Sequence, residues 1–259
     1  MDISLDQEAA IRQRYIDIDD KTEDCRDCIS LSVWNWQEFQ EMYDISWIFH
    51  ENGLEGVVLT YPEIKSAVDN KIISDVSLLP AYEAIKTQKW CIDQVREKAG
   101  NKRAQITIPF LKEMHGRLVI KPEDAGVYRK DIPIHRTYFH EIEQPAKIHN
   151  SLGKALDFLK SSKGRGMHPI EWASAFHHRF MRVFPFSKHS GFIGRLLLNF
   201  VLMRHGYLPA VIHAADRQRY YEALRNPERD FRKFVIESMD NALDNATRFF
   251  SNQAAKRGA

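Results

Sequence analysis

Apolar residues recur at helical spacing along most of the chain. Phe39, Met42, Tyr43, Ile45, Trp47 and Ile48 form a stripe that predicts a helix over 37–48, with Asn52-Gly53 as its stop. Thr60-Tyr61-Pro62-Glu63 reads as a helix start: Thr as N-cap, Pro in the first turn, Glu three residues on. Amphipathic spacing predicts further helices over 78–98, 106–118 and 146–159, with Pro109 confined to a first turn. Helices are also expected over 169–183, over 192–205 with Gly206 closing it, and over 217–224 and 230–250. The segment 125–144 breaks this pattern. Its alternation from Ile132 to Ile134 and again over 137–142 predicts a short β-hairpin. The run 161–166, Ser-Ser-Lys-Gly-Arg-Gly, reads as a loop. The fold class expected is therefore all-α with one small hairpin. A weak boundary at Ala99-Gly100-Asn101-Lys102 divides a helical segment 1–100 from a core 101–250, and 251–259 reads as a frayed tail.

Composition narrows the function without naming one. The 259 residues are 44% hydrophobic and 28% charged, as in ordinary globular proteins. Lys and Arg number 37 against 35 Asp and Glu, a net charge of +2, which carries no strong footprint for nucleic acid or an anionic membrane. No apolar run approaches the ~18 residues of a membrane span. The acidic opening Met1-Asp2-Ile3-Ser4-Leu5-Asp6 is no secretory signal, so the expectation is a cytoplasmic protein with neither nucleic-acid nor membrane partner. Three cysteines are an odd count and argue against a disulfide framework. Cys25 and Cys28 form a lone C-x-x-C. It is either half of a zinc site, needing two ligands from elsewhere, or two reduced thiols.

The chemistry concentrates at 177–197, which reads His-His-Arg-Phe-Met-Arg-Val-Phe-Pro-Phe-Ser-Lys-His-Ser-Gly-Phe-Ile-Gly-Arg-Leu-Leu. This resembles the Fic (Fido) family signature H-x-x-F-x-x-[IV]-H-P-F-x-[DE]-G-N-G-R-x-x-R-L-L. The matching positions are His177, Phe180, Val183, Pro185, Phe186, Gly191, Arg195, Leu196 and Leu197. Gly126-Val127-Tyr128-Arg129 resembles the family's G-x-Y-R ahead of its flap hairpin. Gly206-Tyr207-Leu208-Pro209 and Tyr220-Tyr221-Glu222-Ala223-Leu224 resemble its G-Y-x-P and Y-Y-x-A-L. Upstream, 54–64 is similar to the inhibitory stretch I-E-G-N-x-L-T-x-x-E-[VI], with Glu55 at its glutamate.

The resemblance implies AMP transfer from ATP to a protein hydroxyl, with a target segment held along the flap at 125–144. It also implies where this chain departs. Phe184 stands at the general base, Lys188 at the magnesium ligand, His189-Ser190 at the G-N pair and Phe192 at the first phosphate arginine. Arg195, implied to contact the terminal phosphates, is retained, as is its inhibitory partner Glu55. The serine or threonine usual four residues before that glutamate is Glu51.

A phenyl ring accepts no proton, and losing a positioned base costs ~10²–10⁴-fold. An ammonium repels a divalent cation and offers it no oxygen. The expectation is thus a degenerate member without catalytic residues, metal or resident cofactor, acting as a binding or regulatory module. The alternative is a transferase of AMP or another phosphate-containing group, or the reverse reaction, with altered chemistry. Weak ATP or phosphate binding is expected at Gly191 and Arg195, where helix amides and the dipole favour an anion, with Lys188 either joining them or simply solvated. His189 reads as a displaced base or an exposed loop residue. His177 reads as a buried structural histidine. A metal site from His177, His178 and His189 is disfavoured because adjacent helix residues point ~100° apart. Glu55 and Arg195 are expected to form an ion pair joining the N-terminal segment to the core.

Overall fold

The structure, a computed structural model, describes residues 5–71, 75–133 and 140–258. The helices, in chain order, are α1 Leu5–Leu31, α2 Trp36–Glu55, α3 Tyr61–Val68, α4 Leu79–Gly100, α5 Ile108–Leu118 and α6 Ile148–Lys160. They continue with α7 Ser162–Arg165, α8 Pro169–Val183, α9 Ser190–Arg204, α10 Arg217–Arg225 and α11 Glu228–Gly258.

The centre is α9. Every residue from Ser190 to Leu202 is buried, so this helix has no solvent-facing side and is enclosed by others. α8 and α4 pack on it, α11 and α6 cover α8, and α1 lies on α11. One contiguous cluster of buried side chains runs from Ile11 to Phe250, so the core continues across the break at residue 100. Arg204 ties the end of α9 to the same break, donating to the carbonyls of Lys98, Asn101 and Ala104 at 3.0, 2.9 and 2.6 Å.

Local chemistry sets the boundaries. At α3, Thr60 and Glu63 form a reciprocal capping box. At α5, Thr107 accepts from the Phe110 amide and Pro109 lies in the first turn. α2 does not stop at Asn52-Gly53 as expected. It runs another turn to Gly56, which takes φ 84° and closes the helix in the left-handed conformation. That extra turn keeps Glu51 and Glu55 on one helix, four residues apart. The run 161–166 contains the single turn α7, capped by Ser161, and α11 continues through 251–258 where fraying was expected.

The hairpin expected over 125–144 falls largely on residues outside those described. Among the described residues there is no strand there, and 134–139 lie outside them. The described flanks bond to the last turn of α8 and the residues just after it: Glu143 N donates to Arg182 O at 2.7 Å and Arg129 N to Pro185 O at 3.0 Å. Arg182 O is one of the carbonyls freed at a helix C-terminus, which need donors from outside the helix.

Candidate functional site

The loop 184–189 joins α8 to α9 and is held in a strained form at both ends. Phe184 ends α8 at φ 45° and His189 begins α9 at φ 61°, left-handed values unusual for such side chains. Two residues hold the loop. Ser190 Oγ accepts from Phe186 N and donates to Phe186 O, both at 2.8 Å. Arg129, itself buried, donates from Nε to Phe184 O at 2.7 Å, from Nη1 to Asp131 O at 3.1 Å, and from Nη2 to the carbonyls of Val183 and Glu143. Burial lowers the pKa of this guanidinium, and carbonyl oxygens surround it. Phe184, Phe186 and Phe192 are all buried, with Phe186 stacked on His115 at 4.0 Å. The loop therefore presents hydrocarbon inward.

Arg195 lies one turn into α9 and is 1% exposed. Two carboxylates from α2 hold it. Glu51 Oε2 is 2.7 Å from both Nε and Nη2, and Glu55 Oε1 is 3.0 Å from Nη2. Trp47 Nε1 donates to the other Glu51 oxygen at 3.2 Å. The pair expected between Glu55 and Arg195 is present, but Glu51 is the more deeply buried partner, with its side chain 4% exposed against 30% for Glu55. Burial pushes the Glu51 carboxyl above its ordinary range, with Arg195 acting against it. Burial also works against the Arg195 charge, but Glu51, Tyr220 and Glu55 outweigh it and keep the guanidinium cationic.

The remaining nitrogen, Arg195 Nη1, has no hydrogen-bond partner among the described residues. A Cβ added at Gly191 would lie 3.0 Å from Nη1 and 2.9 Å from Glu55 Oε1. Gly191, Arg195 and Glu55 thus meet at the start of α9. Lys188 is exposed on the loop, two residues before α9. His189 is half-buried, its pKa lowered by burial, with its ring 6.4 Å from that of His115.

His177 is enclosed. Nδ1 lies 2.9 Å from Gly194 O and Nε2 2.9 Å from the Tyr220 hydroxyl. A carbonyl can only accept, so Nδ1 carries the proton and Tyr220 donates to Nε2. His178 lies 3.0 Å from the Asn226 carbonyl. Among the described residues no group of three His, Cys, Asp or Glu side chains could hold a metal ion, and the three cysteines are free thiols.

Burial drives the His177 pKa down to about 3, so it stays neutral in the folded chain. The unfolded chain takes up that proton near pH 6.5, so it binds more protons than the folded one below that pH and stability falls as pH falls. The expected loss is about 1 kcal/mol per pH unit from this residue between pH 6 and 4. Denaturant titrations of the parent and of His177→Gln at pH 7 and pH 5 read it. A parent no more acid-sensitive than the variant would contradict it.

The chain is thus an all-helical domain with a buried arginine one turn into its enclosed central helix, a strained loop ahead of that helix, and a glutamate clamp from a preceding helix. Residues 105–202 match the Fic/DOC family model. Relatives described as "Protein adenylyltransferase Fic" include one from Nematostella vectensis, 29% identical over 204 residues, covering 76% of this chain and 47% of that protein. The one from Culex quinquefasciatus is 26% identical over 208 residues, covering 77% and 41%. This chain thus spans less than half the length of these relatives. Among solved structures, a Fic-domain-containing signalling protein from Bacteroides thetaiotaomicron shares the fold at TM-score 0.79 and 21% identity, over 92% of this chain and 97% of that one. Fic-1 from C. elegans does so at TM-score 0.78 and 19% identity, over 97% and 74%.

Sequence reasoning placed Arg195, Gly191 and Glu55 together but missed two residues. Glu51 was noted only as a substitution, although it lies one helical turn before Glu55 and so on the same face. Arg129 was read as part of a motif without a task.

Proposed function

We propose that this chain is a Fic/DOC-family module whose phosphate site is held shut and whose chemistry is disarmed, acting by binding or regulation rather than by efficient metal-dependent AMP transfer. The observation that carries this reading is the double carboxylate clamp on Arg195. Arg195, the buried cation one turn into α9, is already neutralised from α2, with Glu55 lying where a phosphate oxygen would approach Nη1.

The loop supports the same reading. Its sequence Phe-Pro-Phe-Ser-Lys-His contains no carboxylate, and the nearby Glu51 and Glu55 are occupied with Arg195. That donor set does not fit Mg²⁺, which takes hard oxygen ligands. Phe184 offers no group to receive a hydroxyl proton. The helix amides and Nη1 remain, so a phosphate can be bound weakly and without metal.

Calorimetry with ATP tests this. Weak binding by the parent is expected, unaltered by Mg²⁺. Glu55→Gln removes the charge facing the phosphate and should tighten binding about tenfold. Tight binding by the parent that strengthens with Mg²⁺ would overturn the proposal and favour a transferase reading.

A further inference from the structure

We propose that a second site, remote from the loop and from Arg195, binds a small apolar monoanion, an aryl or alkyl carboxylate or sulfonate. A cavity of about 540 Å³ opens between α1, the first turns of α2, the end of α4 and the turn after α9. None of its lining residues belongs to the loop 184–189 or its clamp. The volume falls within the ~300–1,000 Å³ typical of sites for small organic ligands. Trp36, Phe39 and Tyr43 line it from α2, and Ile29, Met203 and Leu208 from its other sides, so an apolar body finds apolar walls.

The charge of the ligand follows from the polar lining. That lining contains two arginines and no Asp or Glu. Most of its polar groups are already engaged. Tyr43 donates its hydroxyl to Pro209 O at 2.5 Å, and Thr22 donates to Ile18 O at 2.7 Å. Arg96 is paired with Asp44 and Asp93. Arg26 is different. It is exposed, and Nη2 donates to Gly206 O at 2.9 Å, but among the described residues it forms no ion pair. A guanidinium has five N–H donors, so most of its fork is open to an acceptor with planar oxygens. One cation without an ion pair among the described residues, beside an apolar cavity, matches a ligand with a single acidic group on a hydrocarbon body.

Two fluorescent probes test this on the intact chain: anilinonaphthalene sulfonate and phenylnaphthylamine, which has the same rings without the sulfonate. Both should bind saturably, the sulfonate about fivefold tighter. Arg26→Gln should abolish that preference and leave the uncharged probe unaffected. Gly100→Leu supplies a plug. Gly100 lines the cavity, and a Cβ added there meets nothing within 4 Å, so the helix tolerates the larger residue while the open volume shrinks. This variant should melt as the parent does and weaken both probes about tenfold. The proposal fails if neither probe binds saturably, if Gly100→Leu leaves both affinities unchanged, or if the sulfonate preference survives Arg26→Gln.

Discussion

Replacing Glu51 with alanine is expected to lower stability by about 3–5 kcal/mol, against about 1 kcal/mol for Glu55→Ala. The difference follows from burial. Glu51 lies against a guanidinium that is 1% exposed and is itself 4% exposed, so its removal leaves most of a buried charge uncompensated. The indole N–H of Trp47 loses its acceptor as well. Glu55 is 30% exposed, and Glu51 still pairs with Arg195 when Glu55 is gone. In a chain of this size each kcal/mol moves the Tm by about 2–4 °C, so the two variants should separate clearly in a thermal melt. The double variant Glu51→Ala, Arg195→Ala should recover part of the loss, because it removes the stranded charge together with its partner. Equal losses for the two glutamates, or additive losses in the double variant, would show that the clamp is not organised around Glu51.

Much of the fold was legible because most helices bury a broad stripe. α8 was placed at its observed bounds, and α4, α5 and α10 within a residue or two, from apolar spacing and caps. α1 was not anticipated. Its buried positions are Ile11, Tyr15, Ile18, Thr22 and Cys25, a narrow seam spaced by fours and threes, and two of the five are not clear hydrophobes. The hairpin expected over 125–144 centres on 134–139, outside the described residues, and alternation over a few residues also suits an extended segment. Here the described flanks of 134–139 bond to Arg182 O in the last turn of α8 and to Pro185 O just after it. At the site, the cation, the glycine and one carboxylate could be read from motif order. Glu51 could not be ranked above Glu55 from sequence, since their depths depend on how α2 lies against α9. Arg129 was hidden for a similar reason: its partners are all backbone carbonyls, which leave no trace in side-chain chemistry.

Under the proposed reading, in which Phe184 stands at the base position and Lys188 at the metal-ligand position, the largest effect expected is on activity. A positioned base contributes ~10²–10⁴-fold, and a bound divalent cation several kcal/mol of transition-state stabilisation. The two need not add, because such groups act as a unit, yet either loss alone places transfer at least a hundredfold below a chain that holds both, by this ~10² floor. Opening the clamp does not repair this. Glu55→Gly frees one side of Arg195 but supplies neither a proton acceptor at Phe184 nor a metal ligand at Lys188. Phe184→His alone leaves the ammonium of Lys188 in place. The measurement that tests the account most directly is incubation of the intact chain, and of Glu55→Gly, with Mg²⁺ and ATP labelled on the α-phosphate. The account predicts incorporation into protein no higher than in a heat-inactivated control, with or without chelator. Labelling by either protein that rises well above that control and is abolished by chelator would contradict it.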